Sequence, residues 1–391
     1  MTSYQRYVGA GILLGLAAGV LWSAGRRYAE VDSPRLVEWD RVRQAAYIAA
    51  RRGAPEPLWS RSAMGARYAG WVAESERLIA EYTGRSLPRQ LEDVRVYTRP
   101  EWIDANVENF QVLFEPIEQI YARMMDEKPF GIHIVGNLNQ MLLSGQMGLM
   151  MGYMSQRVLG QYDMSLLGRE PLTTGRLYFV EPNIAETEHK LKVPGEQFRM
   201  WIALHETTHA YEFEAHPWLR DYQNNLLLSY FESLSHDLLG FKAQRSPLRG
   251  ILSRIGANLP HAASGLEAVM SGEQRRLFRQ LQAMMCLAEG FSNHVMDAVG
   301  QAVLPKYSLL KERFEGRAKN KSAAEKLLTK ITGLDVKMEQ YRAGEIFVNR
   351  AVDLRGFEFV NRVWNSPLNL PTLEEIYAPE HWVARMERVA A

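Results

Sequence analysis

Charge disappears from two stretches of the chain, and elsewhere apolar residues recur mostly at helical spacing. Residues 36–51 and 60–83 set apolar side chains three and four apart, as with Trp71, Ile79 and Tyr82 among charged neighbours, which predicts two amphipathic helices. Thr83-Gly84 ends the second, because glycine tolerates the backbone turn just past a helix. Val94 to Thr98 alternates and predicts a short strand, with Pro100 as a boundary, and residues 101–126 return to helical spacing. Residues 136–156 carry no charge, but Asn137, Asn139, Gln140, Gln146 and Gln156 would be costly in lipid. A buried helix is expected there, with Gly145, Gly148 and Gly152 admitting a close backbone and the methionines from Met141 to Met154 filling core. Gly175 to Val180 is the best strand candidate, and nearly everything after residue 195 is helical in pattern. The expected class is mainly α, an α+β chain with a small sheet.

The other charge-free run, Tyr7 to Gly25, lies between Arg6 and Arg26-Arg27. Its nineteen residues just suffice to cross a bilayer, where about 20 are needed. Gly11, Gly15 and Gly19 share one helix face. Three readings fit: a membrane anchor, a glycine-faced helix packed within the fold, or a signal peptide cleaved near Ser23-Ala24-Gly25. The expected organisation is a hydrophobic segment over 1–30, a helical region over 31–130 and a metal-binding region over 131–391.

Composition narrows the classes. With 47% hydrophobic and 23% charged residues, the 391-residue chain can bury a large core and is not disordered as its main state. Its 46 basic and 45 acidic residues give no bulk reason to seek nucleic acid. Cys286, the single cysteine, forbids an internal disulfide and excludes the disulfide-rich secreted class. The expected location is cytoplasmic or membrane-tethered.

The chemistry concentrates in His205-Glu-Thr-Thr-His209, on a segment that Pro194-Gly195 starts and Pro217 stops. Residues i and i+4 share a helix face, so His205 and His209 can direct imidazole nitrogens at one ion. Two imidazoles, a third protein ligand and an open position suit one Zn2+ per chain. Glu206, beside the first ligand, can take a proton from water and pass it to the leaving amine. His216 is a weak third ligand, since Glu212 and Ala215 stand where a metzincin has Gly and His. An acid on a separate downstream helix completes gluzincin-type sites, which points to Glu289, with Asn293 and Asp297 as candidates to support a ligand histidine from behind. A rival pairing of Glu186-Thr-Glu-His189 with Glu206-Thr-Thr-His209 as a di-iron site leaves His205 idle.

These motifs occur in an ordered series with Arg99-Pro-Glu-Trp-Ile-Asp-Ala-Asn106, Val158-Leu-Gly-Gln-Tyr-Asp163, Pro217-Trp-Leu219, Val295-Met-Asp297, Lys337-Met-Glu-Gln-Tyr-Arg-Ala-Gly344 with Phe347, and Trp364 with Leu370-Pro371. From about residue 35 onward the chain thereby resembles a family of uncharacterised bacterial zincin-like metallopeptidases. The resemblance implies a largely helical zinc hydrolase with ligand roles for His205, His209 and Glu289. The chain departs from the family pattern at Phe291, where a His is expected. For a donor to the oxyanion of peptide hydrolysis, Tyr341, Arg342, Tyr211 and His294 are candidates, and Tyr341 leads because it falls within a resembling segment. Arg176 to Glu181 could pair with an extended peptide by strand addition, although an ordinary strand in a small sheet is the preferred reading.

The expected function is a zinc-dependent metallohydrolase, a peptidase acting on peptide or protein substrates. The alternative is a catalytically inactive zinc-binding scaffold or peptide-binding module. The oligomeric state is open, and membrane association would run through residues 7–25.

Overall fold

The computed structural model describes residues 35–50, 60–126, 133–163, 175–243, 270–319 and 334–390. Helices α1 (Trp39–Ala50) and α2 (Arg61–Thr83) lead to strand β1 (Val94–Tyr97), then α3 (Arg99–Asp126) and α4 (His133–Ser155). Strands β2 (Gly160–Asp163) and β3 (Arg176–Val180) precede α5 (Glu181–Leu191), α6 (Gly195–Glu214) and α7 (Trp218–Ala243). The rest is helical: α8 (Gly272–Val303), α9 (Tyr307–Lys319), α10 (Leu334–Arg355), the short α11 (Phe357–Asn361), two 3₁₀ turns, α12 (Leu373–Tyr377) and α13 (Pro379–Ala390). A mainly helical chain with a small sheet is what the residue pattern predicts.

Local chemistry sets the helix ends. The Ser60 hydroxyl accepts from the Ala63 N–H at the start of α2, and Gly84 closes that helix with φ 72°. Ser271 and Gln274 form a reciprocal capping box at the start of α8. Pro100 lies inside the first turn of α3 rather than before it, where its missing N–H leaves no bond unmade.

The sheet runs β1-β3-β2, with β3 parallel to β1 and antiparallel to β2. Both sides of β3 are therefore occupied, as expected of an ordinary strand in a small sheet, and it has no free edge for an extended peptide. Leu177 to Val180 are all buried, the signature of a strand covered on both faces.

Buried apolar residues form two clusters. The larger joins α2, α6, α8, α10 and the C-terminal segments around Tyr68, Phe179, Phe198, Phe291, Phe347 and Trp364. The smaller joins α1, α3 and α4 through Val42, Ala46, Trp102, Ile103, Met147 and Met151. Packing thus crosses residue 130. Gly148 and Gly152 of α4 lie so close to α1 that an added Cβ would fall 2.5 Å from the Ala45 and Ala49 methyls respectively. Gly145 faces open space and takes no part in that crossing, and Met141 is 42% exposed, so the small and sulfur-bearing residues of α4 are only partly core.

No helix among the described residues is long and apolar enough to cross a membrane. The hydrophobic run at residues 7–25 lies outside them.

Candidate metal centre

Helix α6 carries the central motif and is buried along most of its length, so its polar side chains need partners. Near its start, Arg199 Nη1 donates to Glu188 at 2.6 Å, and the same guanidinium bonds Glu181. Tyr68 Oη of α2 donates to Glu181 at 2.7 Å, so one buried network ties α6 to both α2 and α5. At its other end Glu214 accepts from Tyr162 Oη and from the Gly175 N–H, both at 2.6 Å, which pins the strands to the helix. His216 is buried rather than a surface residue. Its Nδ1 lies 3.0 Å from the Glu212 carbonyl, and the ring stacks on Trp364 as a buried cap of α6.

Between these anchors His205 and His209 sit one turn apart, with ring centroids 4.7 Å from each other. Helix α8 packs across α6 and brings Glu289 to the same place. One ligand atom from each of His205, His209 and Glu289 lies within 4.8 Å of the others, and His209 Nε2 is 3.8 Å from Glu289 Oε2.

The hydrogen bonds behind the two imidazoles fix where their protons go. Ser292 Oγ donates to the His205 carbonyl at 3.2 Å and lies 3.0 Å from His205 Nδ1. A hydroxyl has one hydrogen, so with that hydrogen on the carbonyl it accepts the Nδ1–H and leaves Nε2 with a bare lone pair. Glu212 Oε2, 3.1 Å from His209 Nδ1, does the same for the second histidine. Two imidazole lone pairs and a carboxylate then converge, a donor set that fits zinc.

Electrostatics agree with that fit. Burial pushes the Glu206 carboxyl up to about 7; Glu289 adds to the rise, while His209 and the Tyr162 N–H oppose it. Burial likewise lifts Glu212 to about 7 against the pull of His209. For His209, burial disfavours the charged form, but Glu212, Glu289 and Glu206 outweigh it and hold the imidazole well above its ordinary range. Two carboxyls and an imidazole that all favour retained protons mark a site short of positive charge, which a divalent cation would supply. Glu206 itself rests on β2: a Cβ at Gly160 would fall 2.5 Å from Glu206 Cγ.

Two expected supporting residues are corrected. Asp297 accepts from Tyr307 Oη and pairs with Lys311 instead of a histidine, because it lies about 12 Å along α8 from Glu289 at 1.5 Å per residue. Asn293 bonds neither histidine; Ser292 and Glu212 occupy those roles. The missed signal for Glu212 was an acid three residues after a histidine on a helix buried on most sides. Exchanging Glu212 for Gln keeps the volume but removes the charge behind His209, and zinc affinity is expected to fall at least about tenfold in a chelator competition titration.

Among the oxyanion candidates, the Tyr341 side chain lies outside the described residues. His294 is engaged at both ring nitrogens, by Tyr82 Oη at 2.9 Å and Asn349 Oδ1 at 2.7 Å. Tyr211 is enclosed in the core, and Arg342 is exposed. The di-iron pairing fails because Glu186 is bound by Arg99 and Lys190, and His189 is exposed.

A family model described as zincin-like metallopeptidase matches residues 37–383. The chain is also similar to a crystal structure from Chloroflexus aurantiacus, of a protein provisionally described as a hydrolase with a novel fold. The two are 38% identical, the match covers 90% of this chain and 99% of that one, and the TM-score is 0.66. No curated protein matches.

Proposed function

We propose that this chain, which belongs to the zincin-like metallopeptidase family, is a zinc-dependent peptidase holding one zinc ion on His205, His209 and Glu289. The observation that carries the reading is the convergence of those three side chains with both imidazole Nδ1 atoms already engaged by Ser292 and Glu212. Zinc, when bound, supplies Lewis-acid charge that polarises a carbonyl and makes water more acidic. The chain's own residues do the rest. Glu206 takes a proton from the attacking water and returns it to the departing amine, and the Tyr162 N–H holds its carboxylate against β2 meanwhile. Ser292 and Glu212 keep the imidazoles oriented. The Glu289 side chain is 28% exposed, so the site opens to solvent on that side, where a peptide can enter.

The test is cleavage of a mixed peptide library by the purified full chain, read by mass spectrometry. Cleavage that a chelator abolishes and zinc alone restores is the expected result. Cleavage indifferent to chelator, or none by zinc-loaded protein, would overturn the peptidase reading and favour a zinc-binding scaffold.

A further inference from the structure

A second concavity plays no part in the metal centre. About 15 Å along α8 from Glu289, by helical rise from Arg279, a cavity of about 510 Å³ opens between the first turns of α8 and the segment leading into α12. Arg275, Arg276 and Arg279 line it from α8, and Leu370, Pro371 and Glu374 face them. Three guanidinium groups therefore meet one carboxylate. Arg279 pairs with Glu374 at 3.3 Å, whereas Arg276 donates to the neutral Gln280 Oε1 at 3.3 Å and meets Glu273 only loosely, at 3.9 Å. The Nε of Arg275 is buried with no hydrogen-bond partner among the described residues. The positive end of a 32-residue helix adds to the potential of the lining guanidinium groups.

We infer that this cavity binds an oxyanion, a carboxylate or a phosphate, carried on an apolar body. Guanidinium groups bind both anions through paired N–H donors, which accounts for three of them on one wall. The leucine and proline side of the cavity suits an apolar group attached to the anion. The volume falls within the range of small-molecule sites. This site stands apart from the metal centre and needs no turnover.

The experiment is calorimetric titration of the full chain with phenyl phosphate, with phenylacetate and with benzyl alcohol as the neutral counterpart. At least one anion is expected to bind with a Kd below about 1 mM, more weakly as salt rises. Its affinity should fall at least about tenfold in Arg275→Ala. Thermal melting checks that this variant folds; where it does not, the exposed Arg276→Ala carries the same comparison. Binding of phenyl phosphate alone would identify a phosphate ligand, and binding of phenylacetate alone a carboxylate, and either supports the site. No saturable binding of either anion up to about 10 mM, equal binding of benzyl alcohol, or unchanged affinity in the folded variants would overturn it.

Discussion

Glu206→Gln is expected to lower turnover about a thousandfold while the protein keeps its zinc. The amide has nearly the same shape as the carboxylate, so it can lie against Gly160 and still accept the Tyr162 N–H. It cannot take a proton, and the water and the leaving amine then lose their relay. His205, His209 and Glu289 are untouched, so metal content should stay at that of the parent. Steady-state kinetics on a cleaved peptide, with metal analysis of the same preparation, reads both quantities. A variant that kept more than about a tenth of parental turnover would remove Glu206 from the chemistry. A protein acting only as a scaffold would retain its partner through the same change.

The largest expected effect on stability is at Gly344→Ala. A Cβ at Gly344 would stand 1.8 Å from the Cys286 carbonyl oxygen, and one at Gly290 would stand 2.2 Å from the Gly344 carbonyl carbon. These are contacts of backbone with backbone, so no side chain can swing aside to relieve them. Helices α8 and α10 touch directly beside Glu289, and even one methyl forces them apart. Phe291 and Phe347 pack in the core at this crossing, so separation also opens a cavity. A loss of about 3 kcal/mol or more is expected in urea denaturation. Gly316→Ala is the matched control, since nothing lies within 4 Å of its added Cβ, and it should not destabilise. Equal stability of Gly344→Ala and the parent would mean that the two helices are not in backbone contact.

The features legible in the sequence were those that repeat over several turns or that carry unusual residue types. Helices α1, α2 and α3 lie within a few residues of their predicted places because each sustains a long periodic pattern, and α4 does so because its charge-free run carries glycines at helical spacing. Strand β2 was not predicted, because Gly-Gln-Tyr-Asp holds one apolar residue and no β-branched one, unlike the equally short Val-Arg-Val-Tyr of β1. The meeting of His205 and His209 follows from spacing alone, whereas that of Glu289 with them depends on the packing of α8 on α6. Ser292 was missed because it lies on a different helix from His205, and their meeting depends on packing that residue spacing does not encode, whereas the three-residue spacing of Glu212 from His209 did carry a signal. At Phe291 the departure from the family pattern has a structural use: the ring is fully buried and meets Trp364 edge to face, with centroids 5.2 Å apart.

The central claim is that His205, His209 and Glu289 together hold zinc, and metal analysis of the purified chain without added metal tests it most directly. About one zinc per chain in the parent, lost in His205→Ala and in Glu289→Ala while both variants stay folded, is the predicted result. A parent that stays free of metal even after zinc is offered, or variants that keep their zinc, would contradict it.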